Sequence, residues 1–183
     1  RIMEKKEIVL LKKLDDRAVI PSYAHNGDVG LDCTAIDVEY NEEFDYYVYH
    51  TGLALENDYG KAFLLFPRSS NRKKDCYLAN SVGIADTAIY RGEIVFTFKN
   101  RTSMEMRRNV KIMMEDLEAI RNGNTGIKYI KHAVLDPMDY APYKVGDKIG
   151  QLVLVDFPNV EFKVVEELSD SERGTNGHGS TGA

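Results

Sequence analysis

Short runs of β-branched and aromatic residues, separated by turn-forming residues, make up most of the amino-terminal half of this chain. Strands are expected at residues 6–14, 37–50, 52–55, 62–66 and 93–99. Short strands at such close spacing, with few helical periods between them, are typical of antiparallel sandwiches and barrels. The sequence therefore predicts an all-β fold.

One segment departs from this pattern and predicts a helix. Apolar residues recur at steps of three and four positions between Met106 and Ile120, which favours a helix over residues 103–121. Residues 102–105 (TSME) are expected to form a capping box. Residues 122–123 (NG) are expected to end the helix.

The methionine-rich face of this helix allows two interpretations. It packs on the barrel or on a neighbouring subunit, or it forms a surface for a protein partner, since flexible methionine side chains adapt to varied partners. A strand-like run at 127–134 and a loop containing Pro137 and Pro142 complete this segment.

The carboxyl-terminal part of the chain contains two further predicted strands, at residues 148–156 and 160–165. From Ser169 onward the residues are small, polar and rich in glycine, a composition that cannot bury a core and favours a flexible tail. The expected organisation is a single β domain over 3–168 followed by a mobile tail over 169–183.

The composition narrows the class of protein. A length of 183 residues with 43% hydrophobic content suits one domain with one core. A formal net charge of −5 argues against a nucleic-acid coat protein, and no apolar run is long enough to span a bilayer. Cys33 and Cys76 lack metal-ligand spacing and are expected to be reduced thiols. We expect a protein of the cytoplasm, or of the host cytoplasm if viral, that binds neither nucleic acid nor membrane.

The residues after Phe66 have the character of a phosphate site. Pro67 favours a turn, and Arg68, Ser69 and Ser70 follow it directly. A guanidinium fork and two hydroxyls are suitable donors for a phosphate.

Polar and glycine residues that suit a nucleoside follow soon after. Asn80 and Gly83 favour a tight hairpin where the backbone approaches a ligand closely. Asp86 is a lone acid, and Tyr90 begins a turn with an arginine and a glycine. A phosphate grip, a hairpin and an acid within one short stretch indicate a nucleotide site.

The chain resembles the trimeric dUTP diphosphatases (dUTPases) in five ordered motifs. The motifs match residues 24–32 (AHNGDVGLD), 67–70 (PRSS), 80–94 (NSVG, an acid and YRGEI), 146–152 (GDKIGQL) and 173–182 (RGTNGHGSTG). They extend over nearly the whole chain. The part from about 101 to 143 is not covered and is expected to be an insertion of the type seen in phage members.

The resemblance implies a jelly-roll-like barrel that forms a homotrimer, with each active site assembled from several chains. It implies hydrolysis of dUTP to dUMP and diphosphate with Mg²⁺, which keeps uracil out of DNA and supplies dUMP for thymidylate synthesis. A dCTP deaminase-type relative is an alternative, although such enzymes typically lack the combined YRGEI turn and Gly-rich tail. A regulatory protein that binds a partner through residues 101–143 is another, since some phage-encoded dUTPases engage repressor proteins.

Two acids have candidate roles in this chemistry. The resemblance implies that Asp86 is the base that orients the attacking water, whereas a turn acid can also simply cap the turn before Tyr90. Asp32 is expected to bind Mg²⁺ through the water shell that the ion shares with the phosphates. Asp28 is a second candidate for the metal, and its alternative is a plain turn residue.

The resemblance also assigns the substrate contacts. Phosphates are expected to contact Arg68, Ser69, Ser70 and Gln151. The uracil hairpin matches Asn80, Gly83, Ile84 and Ala85, and its backbone groups can pair with uracil while leaving cytosine unpaired. Tyr90 matches the residue that packs on deoxyribose and excludes a 2′-hydroxyl. The tail residues that close over the substrate match Arg173, Gly177, His178, Gly179, Ser180 and Thr181.

The sequence departs from the family pattern in two places. Thr87, Ala88 and Ile89 separate Asp86 from Tyr90, where the family usually has two residues. A bulge that compensates for this extra residue is one expectation, and displacement of the acid or the tyrosine is the other. His178 stands where the family tail carries a phenylalanine that stacks on the base.

Overall fold

The computed structural model describes residues 6–123 and 135–171. Its strands are β1 (Leu10–Lys13), β2 (Leu31–Thr34), β3 (Asp37–Asn41), β4 (Tyr46–His50), β5 (Leu53–Glu56), β6 (Lys61–Pro67), β7 (Cys76–Leu78), β8 (Gly83–Ala85), β9 (Val95–Asn100) and β10 (Lys148–Asp156). The helix α1 spans Met104–Arg121. Within the described ranges, no helix has the length and apolar character that a membrane crossing requires.

Two four-stranded antiparallel sheets face each other across the core. One has the strand order β2-β10-β6-β8, and the other has the order β3-β4-β9-β7. A separate two-stranded ribbon pairs β1 with β5. Consecutive strands often lie in different sheets, which is typical of a jelly roll. The predicted all-β, jelly-roll-like class with one inserted helix is therefore confirmed.

Alternating burial along β4 and β9 forms the centre of the core. Tyr47, Tyr49, Phe96 and Phe98 are fully buried, whereas the residues between them are partly exposed. The Tyr49 and Phe98 rings meet edge to face with centroids 5.9 Å apart. The hydroxyl of Tyr49 donates to the backbone oxygen of Tyr143 at 2.9 Å, so this buried polar group is satisfied.

The two cysteines lie in this core as free thiols, as predicted. Burial raises the pKa of the Cys33 thiol to about 12 and that of the Cys76 thiol to about 11. A nearby Asp32 carboxylate raises the pKa of Cys33 further.

Three strand predictions need correction. Residues 37–50 form the hairpin β3–β4 and not one strand, because the chain reverses at Asp45, whose φ is 54°. The predicted strand 6–14 is paired only over Leu10–Lys13. The predicted strand 160–165 has no strand partner among the described residues, and Phe162 is 91% exposed there.

The helix boundaries match the prediction, but the cap does not. The Ser103 side chain accepts a hydrogen bond from the Met106 amide at 3.1 Å and is the N-cap. The predicted capping box at 102–105 requires Thr102 as the N-cap and Glu105 three residues later. The N-cap is instead Ser103, and the residue three positions after it is Met106, so the prediction is wrong by one residue. The helix ends as expected, with Gly123 at a φ of 83°.

Helix α1 contacts the body of the protein through charged side chains. Arg107 pairs with Asp75 at 3.0 Å, and Arg108 lies 3.7 Å from Glu42. Met104 is the one buried residue of the helix. The opposite stripe is exposed and contains Met106, Val110, Met113, Met114, Leu117 and Ile120. We call these six residues the apolar stripe; the expectation that they pack on the barrel of the same chain is wrong.

Candidate active site

One cavity brings together the residues that were assigned to the nucleoside. Its volume is about 260 Å³, and Asp86 and Tyr90 both line it. The lining also includes Asn80, Gly83, Ile84 and Ala85. We call it the nucleoside cavity.

The segment that carries Asn80 is not a hairpin, contrary to the prediction. Leu78 at the end of β7 pairs with Phe98, whereas Gly83 at the start of β8 pairs with Leu65 in the other sheet. Ser81 has a φ of 62° and makes the turn between the two sheets. The segment therefore crosses from one sheet to the other, and Asn80 and Gly83 line the cavity at the crossing.

Gly83 is needed for close packing and not for a turn. A Cβ at this position would lie 2.9 Å from the Cβ of Leu65 and 3.3 Å from the side-chain nitrogen of Asn80. Any larger residue would push β8 away from β6 or displace Asn80. The glycine thus keeps β8, whose residues line the cavity, at its place in the sheet.

The extra residue after Asp86 is absorbed by a single helical turn. The amides of Ile89 and Tyr90 both donate to the backbone oxygen of Asp86, at 2.9 and 2.8 Å. Ile89 points outward and is exposed. These two amides bond to the backbone carbonyl of Asp86, so the Asp86 carboxylate is not used to cap the turn. Asp86 and Tyr90 consequently reach the same cavity despite the additional residue.

Thr87 anchors this turn to the interior of the protein. It is fully buried, and its hydroxyl donates to the side-chain oxygen of Asn57. The Asn57 side-chain nitrogen donates in turn to the backbone oxygens of Asp58 and Lys61, at 2.9 and 3.0 Å. The acid-bearing turn is thereby attached to the β5–β6 connection. Sequence reasoning did not identify this pair, because its two residues are far apart in the chain.

The ring of Tyr90 is folded against its own turn. Its hydroxyl donates to the backbone oxygen of Glu93 at 3.3 Å. A Cβ on Gly92 would lie 2.1 Å from the Tyr90 hydroxyl oxygen, so this ring position requires glycine. Arg91 stabilises the turn from outside by donating to the backbone oxygens of Thr87 and Ala88, at 3.0 and 3.2 Å.

A second cavity, of about 330 Å³, contains the residues that were assigned to phosphate and metal. Its lining includes Asp28, Asp32, Arg68, Ser69 and Gln151. We call it the phosphate cavity. Ser70 is exposed on the adjoining 3₁₀ turn and does not line this cavity.

Asp32 organises the charges of the phosphate cavity. The carboxylate is 8% exposed and accepts from Arg68 Nε at 2.8 Å and from Lys148 Nζ at 3.0 Å. Arg68 and Lys148 outnumber Asp32, but the Asp28 carboxylate also lines the cavity, so these four groups sum to no net charge. The guanidinium of Arg68 and the ammonium of Lys148 remain suitable donors for an anion. Lys148 was missed by sequence reasoning, although it lies within the fourth motif.

Gln151 and Asp28 have local structural contacts in addition to lining this cavity. Gln151 donates to the backbone oxygen of Pro67 at 3.2 Å, and a Cβ on Gly30 would lie 2.1 Å from its side-chain oxygen. The Asp28 carboxylate accepts from the His25 amide at 2.8 Å, which is the bond of a turn residue.

The 3₁₀ turn after Arg68 is held by a buried asparagine that sequence reasoning also missed. Asn71 accepts from the Tyr143 hydroxyl at 2.8 Å and donates to the backbone oxygen of Cys76 at 3.3 Å. It lies in the 3₁₀ turn Ser69–Lys73, which directly follows Arg68. A buried amide between two polar surface residues has no local sequence signal of its own.

A metal fits this site only with ligands from the substrate. Both oxygens of Asp32 already accept hydrogen bonds from Arg68 and Lys148. Among residues 6–123 and 135–171, no group of three or more potential ligand side chains could hold a metal ion. Phosphate oxygens and water therefore have to complete the shell of any Mg²⁺.

Among the described residues of the single chain, the two cavities share no lining residue. Asp86 lies in the same cavity as the residues assigned to the nucleoside, and Asp32 lies in the same cavity as the residues assigned to phosphate. These two sets of residues line different cavities. The tail candidates Arg173, Gly177, His178, Gly179, Ser180 and Thr181 lie outside the described residues, as does the predicted strand 127–134.

Comparison with known proteins gives the same family at the level of sequence and of fold. The sequence model described as dUTPase matches residues 16–113. A deoxyuridine 5'-triphosphate nucleotidohydrolase of Picosynechococcus is 32% identical over 94% of this chain and 96% of its own length. One from Trichodesmium erythraeum is 30% identical, with the same coverage.

A solved phage protein shares the fold. The dUTPase of Staphylococcus bacteriophage 80alpha, determined with dUPNHPP, superposes with a TM-score of 0.69 at 25% identity. The alignment covers 97% of this chain and 100% of the phage chain. The family match includes the Arg68 turn and the nucleoside cavity, and the bacterial relatives extend the likeness to nearly the whole length, so this chain belongs to the dUTPase family.

Proposed function

We propose that this protein hydrolyses dUTP to dUMP and diphosphate. The observation that carries the proposal is the nucleoside cavity, which Asp86, Tyr90 and the residues of β8 line together in spite of the extra residue. In the cell, this activity would keep uracil out of DNA and supply dUMP for thymidylate synthesis.

Selection of uracil falls to the polar groups around β8. Asn80 and the β8 residues Gly83, Ile84 and Ala85 line the cavity, and we infer that their backbone amides and carbonyls pair with the base. Uracil presents acceptor, donor and acceptor atoms in sequence, and cytosine reverses two of the three. Each buried group left unpaired by cytosine costs about 1–3 kcal/mol. This favours a dUTPase over a dCTP deaminase-type activity.

The chemistry requires an oriented water and cations near the phosphates. Asp86 is the base that orients the water, because its carboxylate lies at the cavity and is not used by its own turn. Arg68 and Lys148 take up charge on the phosphate oxygens, while Ser69 and Gln151 orient them. Mg²⁺, carried mainly by the triphosphate, would supply further charge neutralisation, with Asp32 in contact through its water shell.

The active form that we propose is a homotrimer. Asp86 and Arg68 line separate cavities in one chain, yet both must contact a single dUTP. Joining the nucleoside cavity of one chain to the phosphate cavity of another resolves this conflict. Among the described residues, 158–170 form no strand, and Val160, Phe162 and Val164 are exposed there, where a neighbouring copy would cover them.

A nucleotide panel tests the proposed activity. Diphosphate release is measured with dUTP, dCTP, dTTP and UTP at equal concentration and with Mg²⁺. We expect release from dUTP alone at a substantial rate. Comparable turnover of dCTP would contradict the role of the β8 backbone, and no turnover of dUTP would contradict the proposal as a whole.

We infer a second role, in protein binding, from the orientation of α1. The helix uses Arg107 and Arg108 to contact its own barrel and leaves the apolar stripe exposed. An amphipathic helix normally buries its apolar face. A partner protein that offers an apolar groove fits the stripe, and methionine side chains adapt to its shape.

The two possible occupants of the stripe can be separated by mass. Light scattering of a Met113→Glu/Leu117→Glu variant is compared with an Asn109→Glu control, which adds charge at an exposed polar position of the same helix. If the apolar stripe binds a different protein, both variants keep the trimer mass, and only the Met113→Glu/Leu117→Glu variant loses binding to that protein. Loss of the trimer mass in the stripe variant alone would assign the stripe to a neighbouring subunit.

A further inference from the structure

A third cavity, of about 250 Å³, adjoins the nucleoside cavity at Glu93, which lines both. His50, at the end of β4, lines the third cavity as well. None of the roles assigned above uses His50 or the side chain of Glu93.

The Glu93 carboxylate is held at both oxygens. Oε1 accepts from the backbone amide of Gly52 at 2.7 Å, and Oε2 lies 2.9 Å from His50 Nδ1. Gly52 has a φ of 67°, and a Cβ there would lie 2.6 Å from the Cδ1 of Ile36, so this corner of the chain has little freedom to move. Glu93 thereby attaches the segment after Tyr90 to the rigid β4–β5 corner.

The backbone of the same residue holds Tyr90. The Tyr90 hydroxyl donates to the Glu93 oxygen at 3.3 Å. The next residue is also attached to the corner, because Thr51 donates to the Ile94 oxygen at 2.5 Å and the Ile94 amide donates to Leu53 at 2.8 Å. The position of the tyrosine ring thus depends on a short chain of contacts from His50 through Glu93.

We propose that Glu93 is a positioning residue for Tyr90 and that protonation of His50 strengthens its hold, so that His50 tunes selectivity for deoxyribose over ribose. The inference rests on the proposed function, in which the Tyr90 ring excludes a 2′-hydroxyl. Such exclusion is steric, so a ring that is free to move by a fraction of an ångström admits the larger sugar more readily.

The charges around His50 determine the direction of the pH effect. Glu93 faces Nδ1, Glu39 of β3 lies 3.7 Å from Nε2, and Asp37 of β3 is also close. Asp15 and Arg17 line the same cavity. Within the described part of the chain, Nε2 is buried without a hydrogen-bond partner, so a proton there is attracted mainly by Glu39.

Burial acts to lower the pKa of His50, but hydrogen bonding to Glu93 and the charges of Glu93, Glu39 and Asp37 outweigh it, and the pKa is raised above the usual 6.5. The additional attraction between protonated His50 and the Glu93 carboxylate is therefore fully present below pH 6.5. It is lost as the pH rises through the raised pKa of His50. Selectivity against ribonucleotides should decline over the same interval.

Binding measured by calorimetry tests the selectivity. The dUTP analogue dUpNHpp (dUPNHPP above) and the corresponding ribonucleotide analogue are each titrated into the wild-type protein, at pH values from about 5.5 to about 8.5. We expect the preference for the deoxy form to fall about three- to tenfold as the pH rises. His50→Asn keeps a donor near Glu93 but cannot take up charge, so its preference should be independent of pH.

Two further variants complete the comparison. Glu93→Gln should lower the preference at every pH, whereas Glu43→Gln, which removes an exposed acid of the β3–β4 turn, should behave like the wild type. Thermal unfolding of each variant identifies any loss of fold. Equal pH profiles for the wild type and His50→Asn, or an unchanged preference in a folded Glu93→Gln, would overturn the proposal.

A measurement without nucleotide keeps this test separate from the activity. In NMR spectra of the free protein, the Tyr90 ring resonances should titrate with the same midpoint as the His50 imidazole. In Glu93→Gln, this coupling should disappear. A Tyr90 ring that does not respond while His50 titrates would overturn the inference, whatever the protein hydrolyses.

Discussion

The hydroxyl of Thr87 donates a buried hydrogen bond to the side chain of Asn57, and this contact attaches the turn that carries Asp86 to the β5–β6 connection. Asn57 also receives support from its own bonds to Asp58 and Lys61. The pair explains how a turn with one additional residue still directs its acid into the nucleoside cavity.

Thr87→Val tests this anchor. The substitution keeps the shape but leaves the Asn57 oxygen buried and unpaired, which should cost about 1–3 kcal/mol of unfolding free energy. We also expect turnover to fall about tenfold, because Asp86 precedes Thr87 directly and loses its fixed orientation. Chemical denaturation and steady-state kinetics measure the two effects.

Thr87→Ser is the matched control, since it restores the hydroxyl without the methyl group. It should recover most of the turnover. If Thr87→Val is as active as the wild type, the turn is positioned by other contacts, such as those of Arg91.

Asp86→Asn should separate chemistry from binding. Removing the base should lower turnover by about 10²–10⁴-fold, while the affinity for dUpNHpp stays near that of the wild type. Asp58→Asn changes an exposed acid in the neighbouring turn and should have little effect. Nearly full activity of Asp86→Asn would mean that another group orients the water.

The segment after β10 should be required for assembly. Wild-type protein is expected to have about three times the 20.7 kDa chain mass in light scattering. Phe162→Ser combined with Val164→Ser removes the two most exposed apolar side chains of the segment and should shift the protein to lower mass with loss of activity. Lys163→Gln, between them, should remain trimeric; an active monomer would contradict the proposed assembly.

The cysteines should be inert in the folded protein. With thiol pKa values raised by burial to about 12 for Cys33 and about 11 for Cys76, less than about 1% of either thiol is ionised at pH 8. A thiol-specific reagent should therefore react only after unfolding in denaturant. Rapid modification of the native protein would show that one of these thiols is accessible.

Local patterns in the sequence predicted most of the secondary-structure elements. The helix α1 and the strand β10 appear at the expected residues, because apolar periodicity and turn residues act within a few positions of one another. The turn at Asp45 was missed, since a non-glycine residue with positive φ leaves a weak signal. The structure places Asp86 and Tyr90, which the motifs assign to the nucleoside, at one cavity and Arg68, assigned to phosphate, at another.

Only the tertiary structure decided which distant residues meet. It placed β7 and β8 in different sheets, turned the charged face of α1 towards the barrel and paired Thr87 with Asn57. These outcomes depend on packing and on buried hydrogen bonds between residues far apart in the chain. Such contacts leave no periodic trace in the sequence, because each is a single pair whose energy exists only once the surrounding core has excluded water.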